Sequence, residues 1–357
     1  MKPKVIFIPG TRGDFEDGKN LDKILAAMNE FGLEDFSKKK VLLKLHMGER
    51  GNKFYLKPAV VRHFVDALLA IGAKPFLFDT AVKYEGGRDT KEKYAATAKE
   101  HGFDKLGCPV VIGNEGRSVA VGMKGATSEQ TYAFEVAKEV CDAEFILSVA
   151  HGKGHMMSGF GGSIKAFGMG GVSKESKGFI HAAGAPVLGN AEACRLCGEC
   201  MEGCPMKAIT VVKSGDRAGW RIDYGKCFGC QRCVKICPNN AIVWKGEEFD
   251  LMLAAGAAAC LSNFNGGNKP KKAIFINVLV DISKRCDCAS SAGPVIAPDV
   301  GVVVSDDPVA ADAASIDLIE KAAGKGLKEI QNVDPRSHAR YAEKLGMGGM
   351  EYDMIRY

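Results

Sequence analysis

Eight of the thirteen cysteines fall into two runs, Cys194-x2-Cys197-x2-Cys200-x3-Cys204-Pro205 and Cys227-x2-Cys230-x2-Cys233-x3-Cys237-Pro238. The runs are offset by 33 residues, and the same offset lays CPMKAI (204–209) over CPNNAI (237–242), so the segment is an internal repeat. Two-residue gaps let three thiolates of one run converge, while the fourth, beyond a wider gap, points away from them. Zinc competes for such residues, because C-x2-C pairs also suit a tetrahedral site. Two complete runs, each closing on Cys-Pro, favour cubane iron–sulfur clusters over zinc.

The doubled run resembles the two-cluster bacterial ferredoxins. That resemblance implies two 4Fe–4S clusters, one held by Cys194, Cys197, Cys200 and Cys237, the other by Cys227, Cys230, Cys233 and Cys204. Such a module moves single electrons at low potential and performs no chemistry alone, so it requires an acceptor. Residues 190–246 carry nine Lys or Arg (Arg195, Lys207, Lys213, Arg217, Arg221, Lys226, Arg232, Lys235, Lys245) against five Asp or Glu. This surplus either steers an acidic ferredoxin- or flavodoxin-type partner or balances the clusters' own charge at a solvated surface.

Two further stretches offer chemistry to an acceptor site. HGKGHMMSGFGGSIKAFGMGG (151–171) follows a strand end, where open α/β sheets bind ligands. Gly159, Gly161 and Gly162 would let backbone N–H groups approach a bound cofactor, and Lys153 would add positive charge. Lys165 would hold an anionic group, and His151, His155 and His181 would carry protons or ligate a metal. The glycine spacing matches neither the dinucleotide fingerprint nor a P-loop. The second stretch, DISKRCDCASSAGPVIAPD (281–299), puts Cys286 and Cys288 at another strand end, as a cofactor-binding, metal-binding or disulfide-exchanging pair. Cys108, Cys141 and Cys260 read as core thiols. Asp306, Asp307 and Asp312 surround a helix start, where the charge of the first two favours the helix dipole.

The elements that must position these groups alternate between strand and helix. Strands are predicted over 4–8, 41–47, 75–80, 145–150, 272–282 and 300–305, with a strand-like pair over 109–123. Helices are predicted over 20–31, 58–71, 90–102, 128–141 and 247–262, and from 308 onward. The fold class is therefore α/β, with a mixed or mostly parallel sheet flanked by helices and an inserted α+β ferredoxin-like domain. Residues 1–189 and 247–357 form the two parts of one α/β domain, interrupted by 190–246. The chain is 46% apolar and 25% charged with a formal charge of +5, ordinary for a globular protein. No apolar run is long enough to span a bilayer, and no basic stripe interleaved with aromatics supports nucleic-acid binding. No signal peptide is visible, and a cytoplasmic protein is expected.

HMMSGFGGSIKAFGMG, CDCASSAGPVIAPDVGVVVSDDPVAADAASIDLI and the inserted cysteine runs together resemble the iron–sulfur centre proteins of domain-of-unknown-function family 362. The likeness runs nearly the whole chain, including GMEYDMI near the C-terminus. It implies a redox protein of a kind frequent in anaerobes and archaea, and assigns no substrate. A local likeness to the nickel-dependent lactate racemases is carried by His155, GFGG (159–162), Lys165 and His181. It implies a cofactor-anchoring Lys165, a metal-ligating His181 and a proton-moving His155; FGMG (167–170) replaces that family's proline-glycine. Three readings follow. The first is an iron–sulfur oxidoreductase with a small-molecule substrate or a further cofactor in the α/β domain. The second is an electron carrier without chemistry of its own, and the third a metal-site isomerase or racemase activated by its clusters.

Overall fold

The structure is a computed structural model that describes residues 2–113, 115–124, 129–215, 218–224, 226–227, 229, 231–244, 246–262 and 272–357. Eight strands form the main sheet: β1 (Lys4–Pro9), β2 (Lys40–Leu45), β3 (Lys74–Thr80), β4 (Val110–Gly113), β5 (Phe145–His151), β6 (Lys272–Leu279), β7 (Gly301–Ser305) and β8 (Asp353–Arg356). Their spatial order is β8-β1-β7-β6-β5-β2-β3-β4. β7 runs antiparallel to both β1 and β6, and every other neighbouring pair is parallel. The expected mostly parallel α/β sheet is what forms.

Both faces of this sheet are buried, and the two-residue period of the strands feeds two separate cores. On β6, Ile274, Ile276 and Val278 enter one core, with the helix Pro58–Ala70. Phe275 and Leu279 enter the other, with the helices Gly246–Ser262 and Pro308–Ala323. The helix Gly246–Ser262 is rich in alanine and lacks a polar stripe through its middle. Phe249, Leu253, Ala254, Ala255 and Ala257 are accordingly all fully buried, as a helix enclosed on every side requires.

The segment between the adjacent parallel strands β5 and β6 contains both cysteine runs, so residues on either side of the runs share one sheet. Within it, Pro186–Leu188 pairs with Ile242–Trp244 and Ile209–Val212 pairs with Gly219–Ile222. A small core of Cys200, Ile209, Val211, Cys233 and Ile242 holds these pieces together.

One predicted element differs. Instead of a helix over 128–141, the chain forms a strand, Glu129–Ala137, in a hairpin with Gly116–Lys124, then a short helix, Lys138–Asp142. Phe134 and Val136 are buried while Thr131, Ala133 and Glu135 are exposed, a period of two that the helical reading missed. The glycine-rich stretch is likewise built structure: Lys153–His155 pairs with Gly159–Gly161, and the helix Ser163–Gly168 follows.

Candidate functional site

The internal repeat survives in the backbone. Leu196 and Gly229, Gly198 and Gln231, and Lys207 and Asn240 are related by the 33-residue offset, and all six have positive φ. Non-glycine residues rarely adopt that conformation, so its recurrence marks two copies of one loop. The Ala208 N–H donates to Cys204 Sγ, and the Ala241 N–H to Cys237 Sγ, each at 3.3 Å.

Cys194, Cys197, Cys200 and Cys237 line one hollow together with Trp220. Cys204, Cys227 and Cys233 line a second with Met206 and Arg232, while Cys230 lies outside the described residues, as do Arg217 and Lys245. Each hollow thus takes its far cysteine from the opposite run. Sulfurs that surround a hollow, with backbone N–H groups aimed at the outlying ones, fit a multi-atom iron–sulfur cluster.

A cavity of about 800 Å³ lies between this module and the sheet. Pro205, Met206, Arg232 and Lys235 line it from the module, and His155, Lys165, His181, Cys286 and Cys288 from the α/β domain. Met206 and Arg232 therefore face both the second hollow and the cavity. Among the described residues, seven Lys or Arg and two Glu line the cavity, which makes it cationic. An inner chamber of about 80 Å³ shares Lys165, Lys177, Cys286 and Cys288 with it and reaches the C-terminal ends of β2, β3 and β5 through Lys44, Asp79 and His151. β2 leads to β3 on one side and β5 to β6 on the other. Their junction is the switch point of the sheet, where α/β folds bind ligands.

Lys165 stands on the helix Ser163–Gly168. Asp312 fixes the start of that helix, accepting from the Ser163 N–H at 2.7 Å and the Ile164 N–H at 3.1 Å. Gly162 permits this approach, since a Cβ there would strike the Asp312 carboxylate and lie 2.7 Å from the Phe160 ring. Lys165 Nζ reaches Cys288 Sγ at 3.4 Å. Burial would lower the Lys165 pKa, but the neighbouring Cys286 and Cys288 raise it and keep the ammonium charged. The neighbouring Cys286 pulls the Cys288 thiol well below its ordinary value against the cost of burial, and Lys165 and His46 add to the effect.

His155 and His181 flank the Phe249 ring, at centroid distances of 6.0 and 5.8 Å. Burial, then the charge of Lys165, lowers both pKa values, His181 to about 4, so both rings are neutral bases at neutral pH. Ser158 N–H donates to His155 Nδ1 at 3.1 Å, which puts the proton of the neutral ring on Nε2. His181 Nδ1 is buried with no hydrogen-bond partner among the described residues.

Three expected site residues have other work. His151 Nδ1 faces Asp287 Oδ2 at 2.8 Å and Nε2 faces the Val280 carbonyl at 2.6 Å, so neither nitrogen is free for a metal or a proton relay. Lys153 Nζ contacts Asp287 Oδ1 at 2.8 Å, the Phe54 carbonyl at 2.7 Å and Ser283 Oγ at 3.1 Å, and holds the 281–299 loop in place of a ligand. Gly159, at φ 72°, packs against Pro335, whereas Gly161 and Gly162 line the inner chamber. Cys141 and Cys260 are core thiols, and Cys108 packs at the edge of the other core. Asp307 caps the helix Pro308–Ala323.

Sequence reasoning missed Lys44, His46, Asp79, Arg88 and Lys177. Lys44 and Asp79 form a buried pair at 3.0 Å across β2 and β3. Arg88, 1% exposed, joins Glu49 Oε2 at 3.0 Å, His46 Nε2 at 2.7 Å, Tyr84 Oη at 2.8 Å and the Cys288 carbonyl at 3.3 Å. Lys177 donates to Thr80 Oγ1 and the Ala81 carbonyl, and burial lowers its pKa to about 7, so its amine exchanges a proton near neutrality. The available sign was a charged residue inside an apolar strand: Lys44 in VLLKLHM and Asp79 in PFLFDT.

A family model described as a domain of unknown function, DUF362, matches residues 41–317. The pyruvate synthase subunit PorD of Methanocaldococcus jannaschii is 41% identical over 63 residues, covering 18% of this chain and 69% of that protein. A protein of the same organism described as an uncharacterized ferredoxin is 34% identical over 59 residues, covering 16% of this chain and 77% of its own length. The lactate racemase apoprotein of Thermoanaerobacterium thermosaccharolyticum aligns with a TM-score of 0.37 at 15% identity, over 77% of this chain and 50% of that one. Among the described residues no helix is long and apolar enough to cross a membrane.

Proposed function

The chain belongs to the DUF362 family, whose model takes in most of its length, and from that premise we propose that it is an iron–sulfur electron-transfer protein serving an anionic ligand in the cavity at the strand ends. The observation that carries this reading is the pair Met206 and Arg232, which line both the second cysteine hollow and the cavity. Cys194, Cys197, Cys200 and Cys237 would hold one 4Fe–4S cluster, and Cys204, Cys227, Cys230 and Cys233 the other. Bound there, such clusters supply one-electron transfer at low potential. The similarity to a ferredoxin supports the same role.

The chain's own groups bind and protonate. Lys165 holds the anionic part of the ligand, with Arg232 and Lys235 adding attraction at the module side. The Lys177 amine is placed to give or take a proton at the ligand, and His155 Nε2–H to donate a hydrogen bond to it. Phe249, fully buried, packs between His155 and His181.

The carrier reading is favoured by the similarity to PorD, named as a subunit of a larger enzyme. In that case the basic module would dock an acidic ferredoxin- or flavodoxin-type partner. The two readings separate when stoichiometrically photoreduced holoprotein is mixed, without air, with reducible carboxylates such as enoates and 2-oxoacids, with anionic organic disulfides, and with an oxidised ferredoxin or flavodoxin, and its visible spectrum is followed. The cavity reading expects at least one anionic class to reoxidise the protein faster than its neutral analogue. Reoxidation by partner proteins alone would replace it with the carrier reading.

A further inference from the structure

Cys286 and Cys288 are free cysteines that both face the large cavity and the inner chamber. A turn closed by the Ala289 N–H on the Cys286 carbonyl, at 3.2 Å, folds the segment, and both cysteines line the same two spaces. Asp287, between them, is tied to His151 and Lys153. Arg88 and Tyr84 hold the Cys288 carbonyl. The loop is therefore anchored at its middle residue and at Cys288, while its two sulfurs remain open to the cavity. Next to them stands the charged Lys165, 3.4 Å from Cys288 Sγ.

We propose that Cys286 and Cys288 are an exchange dithiol that reduces an anionic organic disulfide bound in the cavity, with Cys288 attacking and Cys286 resolving. Three features are what such a pair needs: a cysteine sulfur 3.4 Å from a fixed ammonium, a second cysteine two residues away facing the same space, and a cavity of about 800 Å³ lined with cations. In the first step Cys288 sulfur bonds to one sulfur of the ligand, the ligand's S–S bond breaks, and one thiolate leaves toward Lys165. In the second, Cys286 gives up its proton, bonds to Cys288 sulfur and releases the other half of the ligand as a thiolate. The leaving groups take up that single proton between them, and the protein is left with a Cys286–Cys288 disulfide. Two electrons and one proton restore the thiol and thiolate; this part rests on the proposed function, in which iron–sulfur clusters are the one-electron reductant.

The test uses air-free holoprotein with dithiodipropionate, an anionic aliphatic disulfide, and hydroxyethyl disulfide, its neutral counterpart. After brief mixing, free thiols are alkylated and the peptide containing residues 286–288 is weighed. Wild type should give the intramolecular disulfide, formed roughly tenfold or more faster with the anionic reagent. Cys286→Ser should instead accumulate a mixed disulfide on Cys288. Two alkylated cysteines after exposure, equal rates with both reagents, or no adduct in Cys286→Ser would each overturn the proposal. Absorbance and paramagnetic resonance of the same samples report the clusters independently, so a failure of the electron-transfer reading shows there and not in the peptide masses.

Discussion

Lys165→Met is expected to slow alkylation of Cys288 by iodoacetate at neutral pH by roughly 100-fold, since removing one partner of a buried, hydrogen-bonded charge pair costs about 3 kcal/mol. The effect has two sources. Lys165 Nζ, 3.4 Å from Cys288 Sγ, favours the thiolate over the thiol. It also attracts the anionic reagent. Neutral iodoacetamide feels only the first of these, so its loss should be smaller. Iron content should stay at the wild-type level, because Lys165 lines neither cysteine hollow. Unchanged alkylation would remove Lys165 from its assigned place, and loss of iron together with reactivity would reduce it to a folding residue.

Asp287→Ala is expected to destabilise the holoprotein by about 3–5 kcal/mol, the cost of leaving buried charges without their partner. The carboxylate meets His151 and Lys153 at 2.8 Å each, and all three side chains are at most 4% exposed. Denaturant unfolding measures the loss, and Asp287→Asn should recover part of it by keeping hydrogen bonds without the charge. Wild-type stability in the alanine variant would mean that the triad contributes nothing. The pH dependence follows from the same contacts. Burial alone would raise the Asp287 pKa, but His151 and Lys153 outweigh it and hold the group far below the ordinary carboxylate range. The unfolded chain therefore binds this proton first. The stabilisation is present above about pH 4, the unfolded value, and is lost progressively as pH falls below it.

The grouping of the cysteines around two hollows was legible because it follows local spacing, and local spacing is what a sequence displays. The parallel sheet was legible for a similar reason: β6 and β7 are short apolar runs bounded by loop residues. The hairpin partner Glu129–Ala137 was not, because EQTYAFEVAKEV is rich enough in Ala, Glu and Val to fit either period until its exposed residues are known. The site was half legible. His155, Lys165 and His181 share one cavity, as their common segment allows. Their companions His46, Asp79 and Arg88 come from other strand ends and loops, and only the order of strands brings them near Cys288. His151 and Lys153 were misread because a polar residue at a strand end looks alike whether it faces a ligand or a buried Asp287 contributed from a distant part of the chain.

The central claim is that the two cysteine hollows hold iron–sulfur clusters, the second of them beside the cationic cavity. Metal analysis joined to low-temperature paramagnetic resonance, on protein isolated without air and reduced with dithionite, tests it most directly. The account predicts about eight irons per chain and a signal from reduced 4Fe–4S clusters. Zinc in place of iron, or iron with no signal on reduction, would contradict it.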